Sequence, residues 1–255
     1  MATPISVATT RNYYCVISHN ESQSMQTQII RWKHYTSISA LWYKACDDIV
    51  QCATQAIAER GQFLIVLAGG NTPRAVYRLL RDAQTDWSKW HIYYGDERCL
   101  PRDHVDRNSL MVEQTWLSYV PIPASQIHTM PAELGRVLGA KAYAETLAGV
   151  GDFDFVLLGL GEDGHTASLF PGEPWNDENG NGATVAVTNA PKPPPERISI
   201  SASRLSAAYK VLFLGSGTGK QQAVDTWRAG KTIPASAIKP ENGVDVYCYD
   251  VKVDA

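Results

Sequence analysis

The sequence has no apolar run longer than about six residues, "FLIVLA" and "FVLLGL" being the best. That is far short of the roughly 20 residues a membrane-spanning helix needs, so no membrane partner is expected. At the N-terminus there is no basic segment followed by an unbroken apolar stretch, so nothing reads as a secretory signal. Met1 to Ser24 reads as a flexible extension, and the folded sequence as one domain running from Met25 to Ala255. Lys and Arg total 23 against 26 Asp and Glu, with no basic cluster, which excludes a nucleic-acid surface built on counterion release. Cys15, Cys46, Cys52, Cys99 and Cys248 are scattered without a CxxC pair, so neither a zinc site nor a redox dithiol is expected, and a reducing cytoplasm fits best. No period of about 20 to 50 residues suggests a solenoid. A small-molecule partner remains, and the chain is expected to act as a monomer.

What is present is an alternation. From Ser37, apolar residues recur every three or four positions through Ile57, predicting an amphipathic helix that ends at Gly61. The strand "FLIVLA" follows, and then "GGNTPRAVYRLLRD" reads as a glycine turn, a Thr72 N-cap, Pro73 at the first helical position and a helix. "HIYYGDER" is a strand running into a polar loop, before a helix "NSLMVEQTWL" capped by Asn108 or Ser109. Further on, "ELGRVLGAKAYAETLAGV" and "TGKQQAVDTWRAG" read as helices, and "FDFVLLGL", "ATVAVTN", "RISISA", "KVLFLG" and "VDVYCYD" as strands. Strands alternating with helices predict a doubly wound, mostly parallel open sheet of Rossmann-like α/β class, with a small antiparallel elaboration. "PWNDENGNGATVAVTNAPKPPPER" reads as an ordered excursion and not as a domain boundary.

In such sheets ligands bind beyond the carboxyl ends of the strands. Four segments end strands in that way: "AGGNTP", "YGDERC", "GLGEDGHT" and "LGSGTGKQQ". The first joins Gly69 and Gly70 to a helix start, a setting that favours an anion. The last resembles a phosphate-binding P-loop but has Leu214 where glycine is required, and Gln221 in place of the Ser or Thr that holds magnesium. It leaves Lys220 as a partner for a single phosphate. Gly159, Gly161 and Gly164 have the GxGxxG spacing of a dinucleotide-binding turn, but the surroundings argue against one. Pro171 and Gly172 stop the following helix after about two turns, and Asp177 and Glu178 lie in a polar loop instead of ending a strand. Glu162 and Asp163 would also stand where pyrophosphate would go. The same loop places Asp163 and His165 two residues apart, suited to general base work with a carboxylate that fixes the tautomer. Asp96, Glu97 and Arg98 read either as a second functional group or as a pair of charges that braces a loop. His19, His34, His91, His104 and His128 lack such settings and read as surface or packing residues.

At these residues the sequence resembles the 6-phosphogluconolactonase family. "LAGGNTPRAVYRLL", "YYGDERCLPRDHVDRNSLM", "FDFVLLGLGEDGHTASLFPG", "APKPPPERIS" and "GSGTGKQQAV" match family segments in family order, across roughly Ile29 to Tyr249. The resemblance implies the fold of sugar-phosphate isomerases and lactonases. It also implies hydrolysis of 6-phospho-D-glucono-1,5-lactone in the oxidative pentose phosphate pathway, with no cofactor and no metal. It implies His165 as general base, Asp163 as its orienting group, and Arg98 and Asp96 beside the sugar ring or the developing oxyanion. Gly69, Gly70, Asn71, Thr72 and Lys220 would hold the phosphate, with Lys192 and Arg197 reaching the substrate from the proline-rich segment. The related glucosamine-6-phosphate deaminases carry a glutamate five residues after the histidine, where this chain has Phe170. A non-catalytic sugar-phosphate sensor on the same fold is the alternative of another class; it would have a damaged histidine, and His165 is intact.

Overall fold

The computed structural model describes residues 11–15, 28–176 and 182–253. In chain order the elements are β1 (Arg11–Cys15), β2 (Ile30–His34), α1 (Ile38–Arg60), β3 (Phe63–Leu67), α2 (Asn71–Leu80), β4 (Trp90–Tyr94), β5 (Asp96–Arg98) and α3 (Asn108–Thr115). Then come β6 (Ile127–His128), α4 (Arg136–Leu147), β7 (Phe153–Gly159), β8 (Thr184–Val187), β9 (Arg197–Ile200), α5 (Ala202–Ser206), β10 (Ala208–Ser216), α6 (Gln221–Arg228) and β11 (Val244–Tyr249). Of the segment read as an N-terminal extension, residues 11–15 pair antiparallel with β2; the rest lies outside the described residues, as do His19, Asp177 and Glu178.

The main sheet has the order β1-β2-β11-β10-β7-β3-β4-β6, and every pairing except β1 with β2 is parallel. Its central strands are covered on both faces, so all five residues of β3 and the first six of β7 are buried. That is why these strands read as unbroken apolar runs. Helix α1 covers one face with Leu41, Ala45, Ile49, Ala53 and Ala56, all inaccessible to solvent. Burying Leu41 and Ile49 contributes about 1.5–3 kcal/mol each. Ser37 Oγ accepts from the Ala40 N–H at one end of this helix, and Gly61 ends it with φ 77°. β5, β9 and β8 form a separate antiparallel sheet, and Ile198 and Ile200 of β9 join the same apolar core as the main sheet.

The chain steps outward from β3 to β4 and β6, returns to lay β7 on the other side of β3, and then steps the other way through β10 and β11. Neighbouring connections therefore diverge at the β3–β7 seam, and their carboxyl ends leave a crevice.

Local details depart from the expectations. Gly70, at φ 106°, is the N-cap of α2 and no side chain caps it; Thr72 is turned toward Ser216, and Pro73 is the third helical residue. Neither Asn108 nor Ser109 caps α3. Their backbone N–H groups donate to Glu97 Oε1 and Oε2, both at 2.8 Å, so the cap comes from β5. Gly135, at φ 81°, separates a short 3-10 turn at Ala132–Leu134 from α4, so that helix begins later than its sequence suggests. No helix follows Gly164: the chain makes turns around a bridge between Thr166 and Leu169. Among the described residues no helix is long and apolar enough to cross a membrane, and no three His, Cys, Asp or Glu side chains cluster as metal ligands.

His91 and His128 do pack, stacked 5.7 Å apart, with Tyr93 against His128 at 4.5 Å. Burial lowers the pKa of both, and for His128 the neighbouring His91 adds to it. The unfolded chain binds protons on histidine near pH 6.5, whereas the folded pair resists them. Stability from this pair is therefore present above about pH 6.5 and lost as pH falls below it. Thermal unfolding should show a smaller drop in Tm for His128→Gln than for the unmodified protein on going from about pH 7.5 to about pH 5.5. Equal drops would exclude the pair as the cause.

Candidate active site

The crevice is formed by loops leaving β3, β4, β7 and β10, four consecutive strands of the sheet. After β3, the backbone passes close to α3: a Cβ at Gly69 would lie 2.0 Å from Asn108 Oδ1, so only glycine fits. Gly70 then turns the chain into α2, whose first-turn N–H groups of Asn71 and Thr72 face outward from the helix start as an anion-binding end. Thr72 Oγ1 and Ser216 Oγ are 2.7 Å apart, tying this loop to the end of β10. Beyond Ser216, Gly217 at φ 99° leads into a 3-10 turn that carries Lys220, which is half-buried. The Lys220 pKa is lowered, first by desolvation and then by repulsion from Lys192, with Glu162 and Asp163 partly opposing. A bound anion would offset both by favouring the charged ammonium.

The small sheet supplies the opposite wall. β5 and β9 pair so that Arg98 lies across from Arg197, and Asp96 across from Ser199. Because side chains alternate along a strand, Asp96 and Arg98 share one face and Glu97 points to the other. Asp96 is 6% exposed. Its Oδ1 accepts from Asn108 Nδ2 at 3.1 Å and its Oδ2 from Ser168 Oγ at 2.5 Å, so both carboxylate oxygens brace neighbouring loops. Arg98 donates to the Asp106 carbonyl and forms no ion pair among the described residues. Arg197 donates to the carbonyls of Pro194 (3.1 Å) and Lys192 (2.8 Å), which pins the proline-rich loop and brings the exposed Lys192 to the rim. Desolvation lowers the Arg197 pKa despite the nearby Asp96, and Arg98 lowers it further.

The loop after β7 holds the titratable pair. Asp163 Oδ1 accepts from the His165 backbone N–H at 3.1 Å and lies 2.5 Å from Nδ1. Burial pushes the Asp163 carboxyl up, but the His165 N–H and imidazole outweigh it and the pKa is lowered. An ionised carboxylate only accepts, so the Nδ1 proton is fixed and Nε2 is left with its lone pair. The Gly161 N–H donates to the His165 carbonyl at 2.7 Å, and a Cβ at Gly161 would lie 2.0 Å from Nδ1. The glycine spacing thus makes room for the protein's own imidazole. Phe170, 3% exposed, packs against the ring with centroids 4.9 Å apart. Just beyond, Ala167 takes φ 47°, a left-handed conformation that costs a non-glycine residue about 1 kcal/mol or more.

These walls enclose a cleft of about 390 Å³. It brings together Gly69, Gly70, Asn71, Thr72, Asp96, Arg98, His165, Lys192, Arg197 and Lys220. Asp163 stands outside the lining, against His165. Ser216, Asn108 and Ala167 also line the cleft. Sequence reading missed Ser216 and Ala167 and took Asn108 for a cap; the one available signal for Ser216 was its place between two glycines at a strand end. Chemically, one side offers backbone N–H groups and Lys220 to an anion, and the other an oriented imidazole near two arginines. Among the described residues no Ser, Thr or Cys side chain hydrogen-bonds to the His165 ring, whose one side-chain partner is Asp163.

The chain is similar to known proteins along most of its length. It is 42% identical over 183 residues to a 6-phosphogluconolactonase of Mycobacterium tuberculosis, covering 66% of this chain and 74% of the relative. It is 34% identical over 218 residues to a rice (Oryza sativa) protein named as a probable chloroplastic 6-phosphogluconolactonase, covering 77% of this chain and 66% of that one. The match thus spans just under two thirds of the rice protein's length. The solved structure of 6-phosphogluconolactonase from Trypanosoma brucei superposes with TM-score 0.76 at 26% identity, covering 86% of this chain and 95% of that one. A monomeric glucosamine-6-phosphate deaminase shares the fold alone, with TM-score 0.75 at 19% identity and coverage of 86% and 96%. The family model of glucosamine-6-phosphate isomerases/6-phosphogluconolactonase matches residues 36–247, and the chain belongs to that family.

Proposed function

We propose that the protein is a 6-phosphogluconolactonase, hydrolysing 6-phospho-D-glucono-1,5-lactone to 6-phospho-D-gluconate in the oxidative pentose phosphate pathway. The observation that carries this reading is the Asp163–His165 pair, 2.5 Å apart, in a cleft whose other end is built for a phosphate. The substrate phosphate sits on the N–H groups of Gly70, Asn71 and Thr72, with Gly69 giving the backbone its close approach and Lys220 supplying the counter-charge. Lys192 adds a second cation from the rim. His165 Nε2 takes a proton from water as the water oxygen attacks the lactone carbonyl carbon. Arg98 and Arg197 stabilise the oxyanion that forms, and Asp96 holds the wall between them. The imidazolium then returns the proton to the ring oxygen as the C–O bond breaks, leaving an acid that ionises. A lactone is a reactive ester, so a positioned base and charge stabilisation suffice, and the scheme calls for no cofactor.

Phe170 speaks against the deaminase reading, because it fills with a buried ring the place where those enzymes carry a glutamate. An intact, oriented His165 speaks against a passive sensor. The scheme calls on the groups of one chain, and we take the working unit to be a monomer. Burial pushes the free thiols of Cys46, Cys52 and Cys99 up to about 11 and that of Cys248 up to about 12. Such thiols are poor nucleophiles, and the scattered cysteines fit a reducing, cytoplasmic setting.

The test is a coupled assay on freshly generated lactone. His165→Ala should lower kcat by about 10²–10⁴-fold. Lys220→Ala should raise KM by about 10-fold or more with a smaller change in kcat. A rate no faster than spontaneous hydrolysis from the unmodified protein would overturn the reading. Gly161→Ala, whose new Cβ meets the imidazole, should lower kcat by on the order of 10²-fold with little change in KM. An unchanged kcat would mean that the ring need not sit where it does.

A further inference from the structure

Glu97 is wholly buried, does not line the cleft, and lies on the opposite face of β5 from Asp96 and Arg98. Its carboxylate is surrounded by donors. Oε1 accepts from the backbone N–H groups of Arg98 and Asn108, each at 2.8 Å. Oε2 accepts from the Ser109 N–H at 2.8 Å and lies 3.3 Å from Arg107 Nε, a charge contact without hydrogen-bond alignment. Arg107 is itself only 2% exposed and is further held by the Leu100 and Met130 carbonyls and by Glu133. One side chain therefore locks the start of α3 onto β5.

What it locks reaches the cleft by a continuous path. Asn108, placed by its N–H on Glu97, turns its side-chain amide to the Asp96 carbonyl (3.0 Å) and to Asp96 Oδ1. Asp96 Oδ2 holds Ser168, three residues after His165. On the other side of Glu97, Arg98 is fixed by its own N–H. From this geometry we infer that Glu97 is a positioning residue for catalysis: it sets Arg98 directly and the His165 loop through Asn108, Asp96 and Ser168. The inference rests on the lactonase reading for its kinetic expression and on bond geometry for its substance.

All partners of Glu97 are donors, so the isosteric Glu97→Gln variant must turn an NH₂ group toward two of them, whichever way the amide faces. The expected result is a folded protein with kcat lowered about 10- to 100-fold, since small misplacements of catalytic groups carry such costs. KM should change less than about threefold, because the phosphate is held from α2 and Lys220. Glu97→Asp, which keeps the charge, should recover part of the loss. Glu133→Gln, which removes the outer charge beside Arg107 but leaves every Glu97 bond, should retain normal kcat. If Glu97→Gln fails to fold, Asn108→Ala breaks the path one step later and should give a comparable fall in kcat. A normal kcat in Glu97→Gln or Asn108→Ala would overturn the inference, as would an equal loss in Glu133→Gln. A crystal structure of Glu97→Gln decides it independently of turnover. Displaced Asn108 and Asp96 side chains support the inference, and an unmoved Asp96–Ser168 contact overturns it, even if the unmodified protein were to fail as a lactonase.

Discussion

The pairing of β3 with β7 is the constraint on which the rest of the molecule depends. Its register is short, Ile65 opposite Phe155 and Val66 opposite Val156. It is reinforced at its start by Asp154, which is 2% exposed and accepts from the Leu64 N–H at 2.7 Å and from Arg60. Desolvation raises the Asp154 pKa, so this carboxylate is held at a cost and kept by its partners. Leaving the buried Leu64 N–H without an acceptor would cost about 1–3 kcal/mol. Only with these two strands adjacent do the chain's outward steps run in opposite directions, and only then do Gly70 and His165 face each other across a gap instead of being covered by a crossover helix.

Within that gap charge is deliberately unbalanced. Arg98, Lys192, Arg197 and Lys220 line the cleft, while its one lining carboxylate, Asp96, is occupied by Asn108 and Ser168. Lys220 and Arg197 both have lowered pKa values, with desolvation as the leading cause. Such cations are poorly solvated by the protein alone and are preorganised for an anionic guest. The small antiparallel sheet makes this possible by placing Arg98 and Arg197 opposite each other in its register.

How much of this was legible in the sequence follows from how local each feature is. The doubly wound sheet could be read because β3, β7 and β10 are continuous apolar runs and helices follow soon after β3 and β10. Asp163 and His165 could be read as a pair because the hydrogen bond between them spans two residues. The caps could not. A sequence reader assigns a helix start to the nearest small polar residue, but α3 is capped by a carboxylate 11 residues earlier, and Thr72 turns to a hydroxyl 144 residues away. Tertiary contacts decided both. The two-turn helix expected after Gly164 failed for a backbone reason, since Ala167 in the left-handed region cannot continue one. Ser216 carried no signal beyond its glycine neighbours, because its role exists only when the loops of β3 and β10 meet.

The loop from Gly161 to His165 is held mainly by bonds within itself. Gly161 donates to the His165 carbonyl, Gly164 to the Gly161 carbonyl, and His165 to Asp163 through both its backbone and its ring. None of these bonds reaches outside five consecutive residues. His165 and the carboxylate that orients it are thus fixed relative to each other within one short loop, while the Ala235 N–H on the Gly164 carbonyl at 3.1 Å and Ser168 on Asp96 tie that loop to the rest of the fold. The other side chains that line the cleft come from other strand ends and from the segment between β8 and β9. Exchanging those outer groups would leave the ring and its carboxylate joined as they are, so the surroundings of the pair can vary more freely than the pair itself.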